Sequence, residues 1–171
     1  MSKVVKFVVL LIENALWMEN KAIGFYTAVL GDKASGEKYV AENLSHQKLI
    51  RIQNDFSVEM LMVHEAETPL SFMKLNSSRL YNQNTGANKP MGIEQVVYFN
   101  SEELSLLLKR AEAIAAQRKH DLIWIKVFEK DTVLKEILQS FDYREFHFDE
   151  QANEDSQHQQ LYFKKELLYS S

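Results

Sequence analysis

Apolar residues recur along this chain in two rhythms that alternate. Residues 4–11 are β-branched and apolar and run into Glu13 and Asn14, which predicts a first strand, with a buried helix start as the alternative. Residues 15–30 carry Leu16, Ile23, Tyr26 and Leu30 on a helical spacing and stop at Gly31-Asp32, as a helix would. One or two further helices are expected over 38–53. Ser45 is their candidate N-cap, and Leu49, Ile50 and Ile52 are their apolar residues. Two short strands, 57–64 and 70–75, flank 65–69. They predict an antiparallel hairpin with a loop longer than the tight two-residue type.

Asn, Ser and Gly dominate 76–90, which reads as a long exposed loop. A strand over 93–99 follows. The helix over 102–119 has the clearest periodicity, with Leu104, Leu107, Leu108, Ala111, Ile114 and Ala115 at i, i+3, i+4, i+7. Its Lys109-Arg110 and Arg118-Lys119-His120 clusters fall on the solvated face. Strands at 122–128, 143–148 and 161–165, a short helix at 132–140 and a polar loop at 149–160 complete the chain. Strands alternating with helices and hairpins predict an α/β fold, a mixed sheet with helices on both faces. No repeat or shift in composition divides it, so residues 1–171 are expected to form one domain.

Composition removes several function classes. The chain has no Cys, hence no disulfide framework, thiolate nucleophile or zinc knuckle. Its net charge of -4 lacks the basic footprint of a nucleic-acid binder. The longest apolar run, residues 7–12, is six residues and far short of the roughly 20 a membrane span needs. It also lacks a signal-peptide cleavage site, which favours a cytoplasmic protein. The five His show neither HxH nor i,i+4 spacing, so no metal site is expected. His64 is expected to be a satisfied strand histidine, and Trp124 and Phe128 to be core. Only 5 of 171 residues are Gly, against an ordinary usage of about 7%. All five precede Ile93, and no GxGxxG, GxxxxGK or GxSxG motif occurs.

From Glu94 onward the order of residues resembles the GNAT superfamily of acyl-CoA-dependent N-acetyltransferases. The matching stretch is Trp124-Ile125-Lys126-Val127-Phe128-Glu129-Lys130-Asp131, then Ile137-Leu138 and Asp142-Tyr143, with a closing strand at residues 160–167. Upstream, residues 39–45 and 69–76 are similar to a bacterial subgroup that includes polyamine acetyltransferases. The resemblance implies a GNAT-like fold, acetyl-CoA as cofactor, and a small-molecule or peptide amine as acceptor. A homodimer is compatible with it. Glu94 is the implied general base. Tyr98, Phe99, Asn100, Ser101 and Asp131 occupy the implied cofactor positions.

The departures from that family are concentrated. Where the family has a Gly-rich loop for the coenzyme pyrophosphate, residues 98–104 contain no Gly and no basic residue. Glu102 and Glu103 instead fall on the first helical turn, where carboxylates suit the helix dipole and oppose a phosphate. The family's Asn is Asp131. Its Tyr, a general acid toward the leaving thiolate, is Leu138, which has no proton to give. Its Gly is Asp142. Asn100 and Ser101 are expected to cap the helix, and Tyr98 and Phe99 to pair as strand. Four changes together predict weakened or lost acetyl-CoA binding. Two functions therefore stand: acetyl-CoA-dependent N-acetyl transfer to a primary amine, or a non-catalytic GNAT-fold binding or interaction module.

Overall fold

The computed structural model describes residues 2–77, 89–146 and 159–167. Strand β1 (Lys3–Phe7) leads to helices α1 (Ile12–Leu30), α2 (Lys33–Asn43) and α3 (His46–Arg51). The hairpin β2 (Val58–Glu65) and β3 (Thr68–Asn76) follows, then β4 (Pro90–Val97), α4 (Ser101–Gln117) and β5 (Leu122–Phe128). The chain continues through α5 (Thr132–Ser140), β6 (Arg144–Phe146) and β7 (Gln160–Glu166). Among the described residues these strands form one sheet in the order β1-β2-β3-β4-β5-β7-β6. It is mixed: β4 and β5 are parallel and the other neighbours antiparallel.

Helices cover both faces, as the alternation of elements predicts. Helix α4 packs on β1, β2, β3 and β5, burying Leu104, Leu107, Leu108, Ala111, Ile114 and Ala115. Its Glu112 reaches Lys165 of β7 at 3.0 Å. The side chain of Phe128 points to the opposite face and meets Tyr26 of α1 and Tyr39 of α2. Capping follows the sequence. Asp32, Ser45, Asn100 and Asp131 each accept a first-turn N–H of the helix they open. Gly31 ends α1 at φ +92, a conformation that favours Gly.

Two expectations need correction. The first strand ends at Phe7, because Leu10 N–H is taken by Gln53 Oε1 and Leu11 N–H by Asn14 Oδ1, which starts α1. The β2–β3 hairpin closes through the tight two-residue turn Ala66-Glu67, not a longer loop. Ala66 takes φ +56 there without the Gly or Asn that marks such turns, so the sequence conceals it. The Asn-rich and the last polar loops, 76–90 and 149–160, fall mostly outside the described residues, as do Gly86, His147 and His158. No helix among the described residues is long and apolar enough to cross a membrane. No group of three or more His, Asp or Glu among them is placed to hold a metal.

Candidate functional site

The parallel pair at the centre of the sheet is incomplete. Strands β4 and β5 pair from Pro90↔Leu122 to Ile93↔Ile125 and then part. The cause lies one strand away. A bulge shifts the β3–β4 register between Leu75↔Ile93 and Lys74↔Gln95, leaving Glu94 without a partner in the ladder. A bulge bends its strand and increases its twist. Gly92 holds the paired end close, since a Cβ there would lie 2.0 Å from the Trp124 ring.

Beyond Ile93 a mouth opens between the two strands, and side chains fill it. Phe25, Tyr26 and Tyr39 enter from α1 and α2: Phe25 packs edge-on against Tyr98 at 5.0 Å, and Tyr26 and Tyr39 against Phe128 at 5.9 and 4.9 Å. The space left among them is about 10 Å³, roughly enough for one water. Tyr98, just past the end of β4, donates its hydroxyl across the mouth to Asp131 Oδ1 at 2.5 Å. Asp131 also caps α5 by accepting Leu134 N–H at 3.2 Å. Burial raises the Asp131 carboxyl pKa, and burial with Asp131 beside it raises that of the Tyr98 phenol well above its ordinary value. Burial likewise lifts Tyr39 to about 12. Larger hollows, of about 180 and 510 Å³, lie at the end of β1 and beside α5, away from this mouth.

The N-terminus of α4 is equally occupied. Asn100 accepts Glu103 N–H through Oδ1 and donates to Glu103 Oε2, both at 2.9 Å. Lys3 of β1 donates to Glu102 and lies 3.8 Å from Glu103. Glu103 is buried and its Oε1 has no hydrogen-bond partner. Ser101 is the first helical residue and contributes no cap. Phe99 lies outside β4 and half exposed, with Phe25 and the Lys21 ammonium near its ring. An acyl-CoA would need both a slot for its pantetheine chain and free N–H groups for its pyrophosphate. Aromatic rings fill the first, and Asn100 with two carboxylates holds the second, so these residues do not fit the coenzyme. Leu138 is fully buried and apolar. Asp142 takes φ +71, the left-handed conformation that the family's Gly would supply.

The opposite wall of the mouth, the side away from α4, is different. Glu94 Oε1 lies 3.3 Å from Lys74 Nζ and accepts from Asn76 Nδ2 at 3.2 Å. Lys126 projects from β5 beside it, and Tyr162 is its cross-strand neighbour on β7. Burial lowers the Lys126 ammonium pKa, opposed by the field of Glu94. Buried Gln95 donates to the Tyr39 hydroxyl at 3.1 Å, while its Oε1 has no partner. The family resemblance names Glu94, and the helix start that follows names Asn100 as a cap. The sequence does not show that Lys3, Lys74 and Tyr39, from β1, β3 and α2, meet these residues, nor that Gln95 beside Glu94 reaches Tyr39. His64, expected to be satisfied, has a buried Nδ1 with no hydrogen-bond partner.

No family model and no curated protein matches the sequence. Solved structures match it over nearly its whole length. The PaiA N-acetyltransferase of Thermoplasma acidophilum, crystallised with coenzyme A, aligns at TM-score 0.71 and 16% identity, covering 98% of this chain and 100% of that one. A GNAT-family protein from Desulfovibrio desulfuricans aligns at 0.67 and 10%, covering 96% and 99%. An aminoglycoside 6'-acetyltransferase type Ii aligns at 0.63 and 10%, covering 98% and 99%. The seven-stranded mixed sheet, parted between two central parallel strands, is the fold of the GNAT N-acetyltransferases.

Proposed function

We propose that this chain is a non-catalytic GNAT-fold binding module that no longer takes acetyl-CoA. The observation that carries the reading is the filled mouth between β4 and β5, closed by the Tyr98–Asp131 hydrogen bond. The occupied N-terminus of α4 supports it. Clearing the mouth would mean removing packed aromatic rings and breaking a buried hydrogen bond to a carboxylate, the latter alone worth about 1.5–3 kcal/mol. Leu138 leaves that position of the site without a proton donor.

The competing reading is N-acetyl transfer, with Glu94 as general base toward a primary amine. The shared fold favours it, together with the coenzyme A held by one structural neighbour. Thermal unfolding with and without acetyl-CoA separates the two. A ligand at about 100 times its dissociation constant adds roughly 2.7 kcal/mol to stability, a shift of several degrees. The binding-module reading expects no shift at millimolar acetyl-CoA, whereas a saturable rise would restore the enzyme.

A further inference from the structure

Strand β1 is an edge of the sheet, and its outer side is open. Val8 N–H donates to Met60 O at 3.0 Å, one step beyond the Phe7↔Leu61 pair of β1 and β2. Backbone groups alternate in direction along a strand, so Val4 and Lys6 also turn their N–H and C=O groups to β2. Lys3, Val5 and Phe7 turn theirs outward, where no group among the described residues takes them.

An open edge is a template for another strand unless it is short, charged or covered. The opposite edge, β6, is three residues long and carries Arg144 and Glu145. Strand β1 is five residues long and its surroundings are apolar. Val4 and Phe7 are 44% and 43% exposed, and Val9, Leu11, Ile12 and Leu16 continue the exposed apolar side chains past the strand.

The strand is also complementary to itself. Antiparallel pairing about a two-fold axis at Val5 sets Val5 against Val5, Lys3 against Phe7 and Val4 against Lys6 of a second copy. The outward groups of Lys3, Val5 and Phe7 then meet as hydrogen-bonded pairs. Lys3 reaches Glu102 and the Phe7 ring lies 5.9 Å from the Arg110 guanidinium, so both side chains lie on the α4 face. There a lysine meets an aromatic ring, which attracts it. Val4 and Lys6 leave the other face. No like charges are opposed in this register. An axis at Lys6 would set Lys6 against Lys6, which is unfavourable. An axis at Val4 would leave Lys6 and Phe7 beyond the paired residues.

We propose that β1 is a self-pairing edge through which two copies of this chain join their sheets into one. Strands β2 and β3 separate this edge from the β4–β5 mouth, so the pairing is independent of what the mouth binds. An isologous pair of this kind closes at two copies.

Sedimentation velocity of the full chain, from low to high micromolar concentration, tests this. The wild type is expected to move from one chain mass toward two. Val4→Lys sets a lysine against Lys6 twice in each dimer and should weaken association roughly tenfold. Adding Lys6→Glu to Val4→Lys turns both repulsions into attractions and should restore it. Val4 and Lys6 are exposed, so these variants are expected to fold, which far-ultraviolet circular dichroism checks. Val5→Pro removes the N–H at the two-fold axis, which takes no part in the β1–β2 ladder, and should abolish the dimer. Hydrogen exchange gives a second readout. The Val5 and Phe7 amides should gain protection as concentration rises, and the Lys6 amide, already bonded to β2, should not. A monomer at every concentration overturns the proposal. So does a dimer that Val4→Lys leaves intact or that Lys6→Glu fails to restore, and so does growth beyond two chains.

Discussion

The two walls of the β4–β5 mouth differ in how completely their polar groups are used. On the α4 side nearly every group is spoken for. Tyr98 bonds Asp131, Asn100 caps and binds Glu103, and Lys3 binds Glu102. Glu103 Oε1 there has no hydrogen-bond partner among the described residues, and as an acceptor on a negative group it opposes an anion further. On the Glu94 side Lys126 lacks a partner among the described residues, and Trp124 Nε1 and Gln95 Oε1 lack hydrogen bonds. A buried polar atom left unsatisfied costs stability. The two walls therefore differ in how many of their polar groups are paired among the described residues.

The largest expected effect comes from the paired end that holds both walls in place. Gly92→Ala would set a methyl group 2.0 Å from the Trp124 ring. Overpacking of this kind costs typically about 1–3 kcal/mol, and the backbone-proximal overlap puts this case near the upper end. Chemical denaturation reads it directly. An unchanged midpoint would mean that Trp124 is not pinned by Gly92.

Tyr98→Phe opens the strap on the closed wall. It leaves the buried Asp131 oxygen without its hydroxyl donor and should cost about 1–3 kcal/mol. If the cost is negligible, the strap does not hold the mouth shut. A smaller loss, about 1 kcal/mol, is expected for Asn100→Ala through the α4 cap. This substitution also tests whether freed N–H groups admit phosphate, and Glu102 and Glu103 should still exclude it.

Asp131→Asn should give a small gain. Burial raises the folded-state pKa of Asp131 above its ordinary value. The folded protein then binds more protons than the unfolded chain between those two values, so this group's contribution to stability is lost as pH rises through that window. Asn keeps an oxygen to accept from Tyr98 and Leu134 and carries no charge. A series of denaturant midpoints across the acidic range should be flatter for Asp131→Asn than for the wild type. Identical curves would mean that Asp131 is not strained by its charge.

Much of this was legible in the sequence, and the parts that were not share a physical reason. Helix α4 and its cap follow from a 3.6 period and an Asn at its start, both local signals. The family resemblance singles out Asp131, Leu138 and Asp142 along one strand–helix unit, and the φ of +71 at Asp142 agrees with the Gly that the resemblance implies there. The tight turn at Ala66-Glu67 escaped because its residues carry no turn signature. The filling of the mouth escaped for another reason. Tyr26 and Tyr39 look like ordinary amphipathic positions on α1 and α2, and only the packing of those helices on β5 aims them at it. Lys126 sits within the stretch that matches the family, yet a missing partner cannot be seen in a linear pattern. Glycine scarcity drew attention to the β4–α4 junction, where Asn100 caps the helix and Glu102 and Glu103 take its first turn, whereas the aromatic rings beside it come from the first third of the chain.

Isothermal titration of the full chain with acetyl-CoA at millimolar concentration tests the central claim most directly. The filled mouth and occupied α4 N-terminus predict no saturable heat in the wild type. A saturable one-site isotherm, matched by a concentration-dependent rise in the unfolding temperature, would contradict the account and return this chain to the acetyltransferases whose fold it shares.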